Sequence, residues 1–302
     1  MSSLNEIKGR IASVRSTLKI TSAMKMVASA KLHRAQSAIG NMLPYEERLH
    51  SILFNLIDDA EYASGLDDDG NLAVFASGRE VKKVAVIAFS SNSSLCGGFN
   101  TNAIRNALSV IASYRKSGMK KSDIKVYSIG RKMAEEMKKR GFVSPEDFSN
   151  LSGRPSYEDA SRLAEKLIDN FVSGNFDKII LCYNHFKSTA SQPPVVETYL
   201  PVGVNKNKDS GSKTDNEPVK DFIVEPDINS VVDELLVKVL RLKIYTVLLD
   251  TSAAEHAART VAMQTATDNG NEILGDLTLE YNKDRQQKIT NELLDLEGGS
   301  QQ

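Results

Sequence analysis

The run Ser90-Ser91-Asn92-Ser93-Ser94-Leu95-Cys96-Gly97-Gly98-Phe99-Asn100 gathers more reactive and turn-forming residues than any other stretch of the chain. It joins an apolar run, Val84 to Phe89, to a helical pattern from about Thr101 to Lys116. In α/β sheets, strand-to-helix turns bind phosphates on backbone N–H groups. Cys96 is by type a nucleophile. Against both chemistries, the chain has no G-x-x-x-x-G-K-[ST] and no G-x-G-x-x-G. No base accompanies Cys96 in the sequence. A tight Gly97-Gly98 turn around a buried Cys96 is the plainer reading; a surface loop that touches a partner is the other.

The remaining candidates are sparser. His33, His50, His185 and His256 form no H-E-x-x-H and stand at no zinc spacing with Cys96 or Cys182, so no metal site is expected. Glu255 and Arg259 are an i,i+4 pair suited to an exposed helix, with His256 on the same solvated face. Residues 277–293 are unusually polar for a helix seam. Within them Arg285, Gln286 and Thr290 share a face by their spacing. That face reads equally as a solvated helix end or as a hydrogen-bonding surface that docks on another subunit.

The elements that must carry these residues follow from the prolines. All 8 lie between Pro44 and Pro226. Proline breaks helix interiors, so both ends are free to form long helices. From about Ser3 to Asn41, Leu4, Ile7, Ile11, Val14 and Leu18 repeat as a heptad seam. The bases of this segment, among them Lys8, Arg10, Arg15 and Lys25, face a single acid, Glu6. They form a solvated face or a basic shaft turned to an acidic or polar partner. The basic, acid-poor composition also resembles a mitochondrial presequence. The seam beginning at Leu4 argues against one and leaves no room upstream.

From about Asp227 to Leu296 a second seam runs through Leu235, Val239, Leu242, Thr246 and Leu249. About 70 residues at about 1.5 Å each make a helix of about 100 Å. A compact chain of this length is only about 50 Å across. The helix therefore breaks, with Gly270 and Gly275 as the candidates, or it protrudes. A protruding seam needs a partner, and the N-terminal seam predicts an antiparallel coiled coil.

Between the ends the pattern is α/β. Strands are predicted at 81–89, 124–129, 178–183 and 195–200, with helices at 101–116, 131–140 and 157–171. Alternating strands and helices suggest an open, Rossmann-like sheet, parallel at least in part. The expected organisation is an N-terminal coiled-coil helix over 1–57, an acidic linker over 58–80 and an α/β domain over 81–202. A polar connection over 203–226, a C-terminal coiled-coil helix over 227–297 and a tail over 298–302 complete it.

Composition excludes several classes. The 38 Lys+Arg against 39 Asp+Glu leave a net charge of −1, which is unlike a nucleic-acid binder. The apolar run Val84 to Phe89 is too short to span a bilayer. No apolar signal-peptide core is present. The 2 cysteines give no disulfide framework and suit a reducing compartment.

The motifs then carry a resemblance. At the start stand Ile7-Lys8-Gly9-Arg10-Ile11-Ala12-Ser13-Val14 and Lys19-Ile20-Thr21-Ser22-Ala23-Met24-Lys25-Met26-Val27-Ala28-Ser29-Ala30-Lys31-Leu32. Near the end stand Glu255-His256-Ala257-Ala258-Arg259, Ala266-Thr267-Asp268-Asn269 and the stretch from Leu277 to Leu293. Leu95-Cys96-Gly97-Gly98-Phe99-Asn100 and Glu225-Pro226-Asp227 match between them. The chain resembles the gamma subunits of F-type ATP synthases, over essentially its whole length. The motifs are specific at both ends and loose in the middle.

The resemblance implies a central rotor shaft inside a ring of three alpha and three beta subunits. Its α/β foot would sit beside the epsilon subunit and the membrane ring of c subunits. It implies torque transfer between ion flow and catalysis on beta. The chain itself would perform no catalysis and need no cofactor, metal, nucleic acid or small-molecule substrate. Arg285, Gln286 and Thr290 correspond to the family's contact with a beta-subunit loop. Met24 and Lys25 correspond to a stretch close to beta, and Phe222 and Glu225 to the foot near the c ring. Asn92-Ser93-Ser94 departs from the family's usual Asp, Lys or Arg, Gly, so contacts made by that charged pair are in question here. A bacterial chain, peripheral on the cytoplasmic face of the plasma membrane, is expected, without the chloroplast type's regulatory cysteine pair. Two other readings remain: a flavodoxin-like enzyme using the Ser90–Asn100 loop, and a coiled-coil adaptor. The missing phosphate-loop lysine disfavours the enzyme, and the Met24-Lys25 and Arg285–Thr290 stretches disfavour the adaptor.

Overall fold

The computed structural model describes residues 4–58, 75, 79–202, 224–225 and 228–299. In chain order the elements are α1 (Leu4–Asp58), β1 (Val84–Phe89), α2 (Phe99–Lys116), β2 (Ile124–Ile129) and α3 (Arg131–Lys139). They continue with α4 (Ser149–Gly153), α5 (Tyr157–Val172), β3 (Lys178–Asn184), β4 (Pro194–Leu200) and α6 (Ile228–Gly299). The predicted linkers, 58–80 and 203–226, lie mostly outside the described residues.

The helices α1 and α6 pair antiparallel. Thr21 Oγ1 lies 2.9 Å from Thr267 Oγ1. Leu18, three residues earlier, meets Gly270, three residues later. Further along, Leu32 and Ala35 pack with Ala253 and Ala257. α6 does not break: its 72 residues are one helix, about 110 Å long. A Cβ at Gly270 would stand 2.7 Å from Leu18 Cδ2 and 3.3 Å from its Cγ. Gly270 is thus a socket for a seam leucine. The helix propensity it loses, about 1 kcal/mol, is offset by the close packing it permits.

α1 also runs on through Pro44, past Asn41, to which the first seam is traced. An interior proline costs about 3 kcal/mol through the missing bond to the carbonyl four residues back. Beyond it Leu49, Leu53 and Leu56 are buried in the main core with Leu236, Val239 and Leu240. Each buried leucine contributes roughly 2 kcal/mol, so tertiary burial outweighs the local defect.

The four-stranded sheet has the order β2-β1-β3-β4. β1 is parallel to β2 and β3, and β4 is antiparallel to β3. Every residue of β1 is buried, because both faces are covered. Val84, Val86 and Ala88 pack under α2 and α3 with Ala107, Met133 and Met137. Ala85, Ile87 and Phe89 face the other way, toward Leu163, Leu167 and Phe171 of α5 and the foot of the coiled coil.

The sheet has a fixed orientation along the shaft. Past the ends of β1 and β3, Ser93 reaches Arg259 and His185 reaches Asp250. Toward the start of β3, where Leu200 pairs with Ile179, the neighbouring Tyr199 hydroxyl donates to the Leu240 carbonyl at 3.0 Å. The parallel strands therefore point toward the C-terminal tip of α6. Their starts point toward its N-terminal end.

Candidate functional site

The coiled coil sets the geometry of the candidate partner-binding residues. Extending the Leu18–Gly270 and Thr21–Thr267 pairing brings the first described residue, Leu4, level with about residue 284 of α6. Past that point α6 has no partner helix among the described residues. Arg285, Gln286 and Thr290 all stand on this single-helix tip and are exposed. The Thr290 hydroxyl donates to the Gln286 carbonyl at 2.9 Å. Its hydrogen is committed, and its oxygen remains open to accept from a partner. Arg285 makes no ion pair among the described residues, so its donors are free.

Met24 and Lys25 lie elsewhere. Both are half-buried on the two-helix part of the shaft. Their level on α6 is near residue 264, some 20 residues short of Arg285, or about 30 Å along the axis. The structure therefore separates the two predicted beta-facing groups into two tiers. The most outward residues of the lower tier are neighbours of the predicted pair: Met26 is 67% exposed, Ile20 58% and Val27 57%.

Sequence reasoning missed the apolar part of the tip. Ile289, Leu293 and Leu296 continue a spacing of four and three, and they are 48%, 61% and 72% exposed. The available signal was that this seam persists where the N-terminal seam has run out. Glu225 is exposed, and Phe222 lies outside the described residues.

The Ser90–Asn100 loop is used internally. Asn92 Nδ2 donates to the Ser149 carbonyl at 2.7 Å, and Asn92 Oδ1 accepts from the Arg131 N–H at 3.0 Å. Arg259 Nη2 donates to Ser93 Oγ at 2.8 Å and Nη1 to Glu255 Oε1 at 2.5 Å. This corrects the expectation of an exposed pair: the Glu255 and Arg259 side chains are only 9% and 11% exposed. α6 is covered here by the loop, which helix spacing alone does not reveal. Burial holds the Glu255 carboxyl above its ordinary value, with Arg259 opposing. Burial, then the charges of Arg259 and Lys31, lower His256 to about 4, so it stays neutral.

The thiol chemistry is closed. Cys96 is 1% exposed, and its Sγ accepts from Asn100 Nδ2 at 3.2 Å. No histidine or carboxylate is among its hydrogen-bond partners. Burial pushes Cys182 up to about 12. Neither thiol of the folded chain should react with an aromatic disulfide reagent over minutes, and both should react in denaturant. Rapid native labelling of Cys96 would contradict this.

The cavity beside the loop, between Gly97, Gly98, Asn184 and Ala262, holds about 190 Å³. That is below the roughly 300 Å³ of ordinary ligand pockets. No cluster of side chains suited to a metal ion occurs among the described residues.

This geometry, a long shaft with an exposed tip and a sheet domain clasped to its lower half, agrees with the comparisons. The ATP synthase family model matches residues 3–301. The ATP synthase gamma chain of Phocaeicola vulgatus is 54% identical over 301 residues, 99% of each chain. That of Bacteroides thetaiotaomicron is 48% identical over the full length of both. In fold, the chain is similar to one in the central stalk and c-ring of the Tetrahymena thermophila mitochondrial ATP synthase. There the TM-score is 0.56 and the identity 20%, over 82% of this chain and 99% of the other. A chain of the Euglena gracilis mitochondrial ATP synthase gives a TM-score of 0.60 at 17% identity, over 98% and 92%. The chain belongs to the ATP synthase gamma chain family.

Proposed function

We propose that this chain is the central shaft of a rotary ATP synthase, carrying torque between a membrane ring of c subunits and catalytic beta subunits. The carrying observation is the shape of α6, a 72-residue helix whose last turns have no partner helix among the described residues. A helix of about 110 Å, stiffened by α1 along most of its length, suits transmission of twist. Its tip offers free polar groups at Arg285, Gln286 and Thr290 beside exposed leucines. Such a tip fits a surrounding ring of alpha and beta subunits.

The chain itself is non-catalytic in this reading. Its strand-to-helix loop spends its polar groups on internal hydrogen bonds, and its thiols are buried. Rotation biases the three beta subunits in turn, because one asymmetric shaft presents each with a different face. The polar contacts of the tip and of the Met24–Lys25 tier form and break at each step; permanent bonds would stall the rotor. The foot, including Phe222 and Glu225, would face the c ring, with epsilon as the co-rotating neighbour. No described helix is long and apolar enough to cross a membrane. In the shaft reading the chain sits peripherally, on the cytoplasmic face of the bacterial membrane, through its foot on the c ring.

Native mass spectrometry of the complex isolated with this chain tests the reading. It should give three alpha, three beta and one copy of this chain. ATP turnover by the purified chain alone would overturn it.

A further inference from the structure

The order β2-β1-β3-β4 places a topological switch point between β1 and β3. From β1 the chain crosses to β2 on one side, and then over to β3 on the other. In open α/β sheets, ligands bind in the crevice beyond the carboxyl ends of the two strands at such a point. Here that crevice lies between the Gly97-Gly98 turn after β1 and Asn184, the last residue of β3. α6 adds a wall with Ala258, Val261 and Ala262, and the space left is the cavity of about 190 Å³.

The lining has a definite chemistry. With Phe99 and Ala190, the three α6 residues make it largely apolar, and no charged side chain lines it among the described residues. Neighbouring Arg259 is committed to Glu255 and Ser93. One buried polar atom is left over. Asn184 lines the cavity and is only 1% exposed. Its Nδ2 donates to the Phe99 carbonyl at 3.3 Å, which fixes the orientation of the amide. Its Oδ1 then has no partner among the described residues. A buried carbonyl left unpaired favours any ligand that brings it an N–H or O–H. The wall that carries Thr189 and Ala190 is preformed: Gln192 Nε2 donates to the Ser188 and Thr189 carbonyls at 3.0 and 2.8 Å.

We propose that this cavity is a binding site for a small neutral molecule, a single aromatic ring bearing one hydroxyl or N–H donor. The donor meets Asn184 Oδ1, and the ring lies against the apolar wall of α6. Size selects the class. A cavity of roughly 150 Å³ takes up benzene, so about 190 Å³ admits one ring with its donor and excludes a nucleotide. Charge agrees, since an ion finds no counter-charge in the walls. A side chain of a surrounding subunit is the poorer occupant. In the shaft reading it would have to leave at every step, whereas a small molecule turns with the chain. The ligand would bridge the sheet domain and the shaft, beside the contact of Ser93 with Arg259.

The test uses the full chain, with phenol as the probe and toluene as the ring without a donor. Saturation-transfer NMR should show phenol binding with a Kd on the order of 1 mM, as suits about seven non-hydrogen atoms. Ala262→Leu keeps a good helix former and fills the cavity. It should abolish phenol binding while the melting temperature is retained. Asn184→Leu keeps the volume and removes the acceptor, so the ratio of phenol to toluene affinity should fall about three- to tenfold. Absence of saturable phenol binding by the parent overturns the proposal and leaves the cavity to water. So does unchanged binding in Ala262→Leu, or an unchanged ratio in Asn184→Leu. If Asn184→Leu does not fold, Ala262→Leu alone decides the site. These readouts need no alpha or beta subunit, so failure of the shaft reading appears separately, as a missing complex.

Discussion

Arg259→Met should destabilise the folded chain by about 3–5 kcal/mol at neutral pH, measured by denaturant unfolding. Removing one member of a buried ion pair leaves the other charged and uncompensated, and costs in this range. Both side chains are nearly enclosed, so solvent screening does not soften the loss. The same change frees Ser93 from its donor at 2.8 Å, loosening the loop that clasps the sheet domain to the shaft.

The loss should depend on pH with a definite sign. Burial already raises Glu255 above its unfolded value. The folded chain therefore binds this proton more tightly than the unfolded chain. The penalty for the bare carboxylate is absent below the unfolded value and grows as pH rises through the folded one. Without Arg259 the folded value rises further, so the variant should recover stability relative to the parent as pH falls from neutral toward the ordinary carboxylate range. Arg259→Met with Glu255→Gln should restore much of the stability at neutral pH, because no buried charge remains. A single variant whose deficit is small and independent of pH would refute the clasp.

The second large effect is on function and should leave the fold intact. Arg285→Ala is expected to lower ATP-coupled turnover about ten- to a hundredfold. A hydrogen bond to a charged group contributes about 1.5–3 kcal/mol, and about 1.4 kcal/mol is tenfold in rate. Arg285 is exposed and makes no ion pair among the described residues, so folding and assembly should be unchanged. Lys288 on the same tip, only loosely paired with Glu292 at 3.9 Å, serves as the control. Lys288→Ala should change turnover less than about twofold. Equal losses of assembly and turnover in Arg285→Ala would exclude a step-specific role.

Much of the fold was legible because it rests on period. The heptads of Leu4 to Leu18 and Leu235 to Leu249 announced the coiled coil, and the apolar runs announced the four strands. What period leaves open is local: Gly270 is only a candidate break, and the first seam is traced only to about Asn41, because propensity counts only the helix that holds each residue. In the fold, Leu18 fills the notch at Gly270, and buried leucines hold α1 together beyond Pro44.

The site was legible unevenly. Arg285, Gln286 and Thr290, grouped by their spacing, all stand exposed on the tip of α6. Their separation from Met24 and Lys25 was not visible, since it depends on the register between two helices. The burial of Glu255 and Arg259 was also hidden. It comes from the Ser93 loop, 166 residues away in sequence. That contact gives Asn92-Ser93-Ser94 an internal role where the resemblance suggested a charged pair.

The central claim is that the chain turns. A cysteine placed at Val143, which is 65% exposed on the sheet domain, would be the readily accessible thiol, because Cys96 and Cys182 are buried. An optical probe on that thiol should then report motion of the chain while the alpha and beta subunits are fixed to a surface. With ATP, the account predicts unidirectional rotation of the probe with one dwell per beta subunit. Sustained ATP hydrolysis with the probe stationary would contradict it.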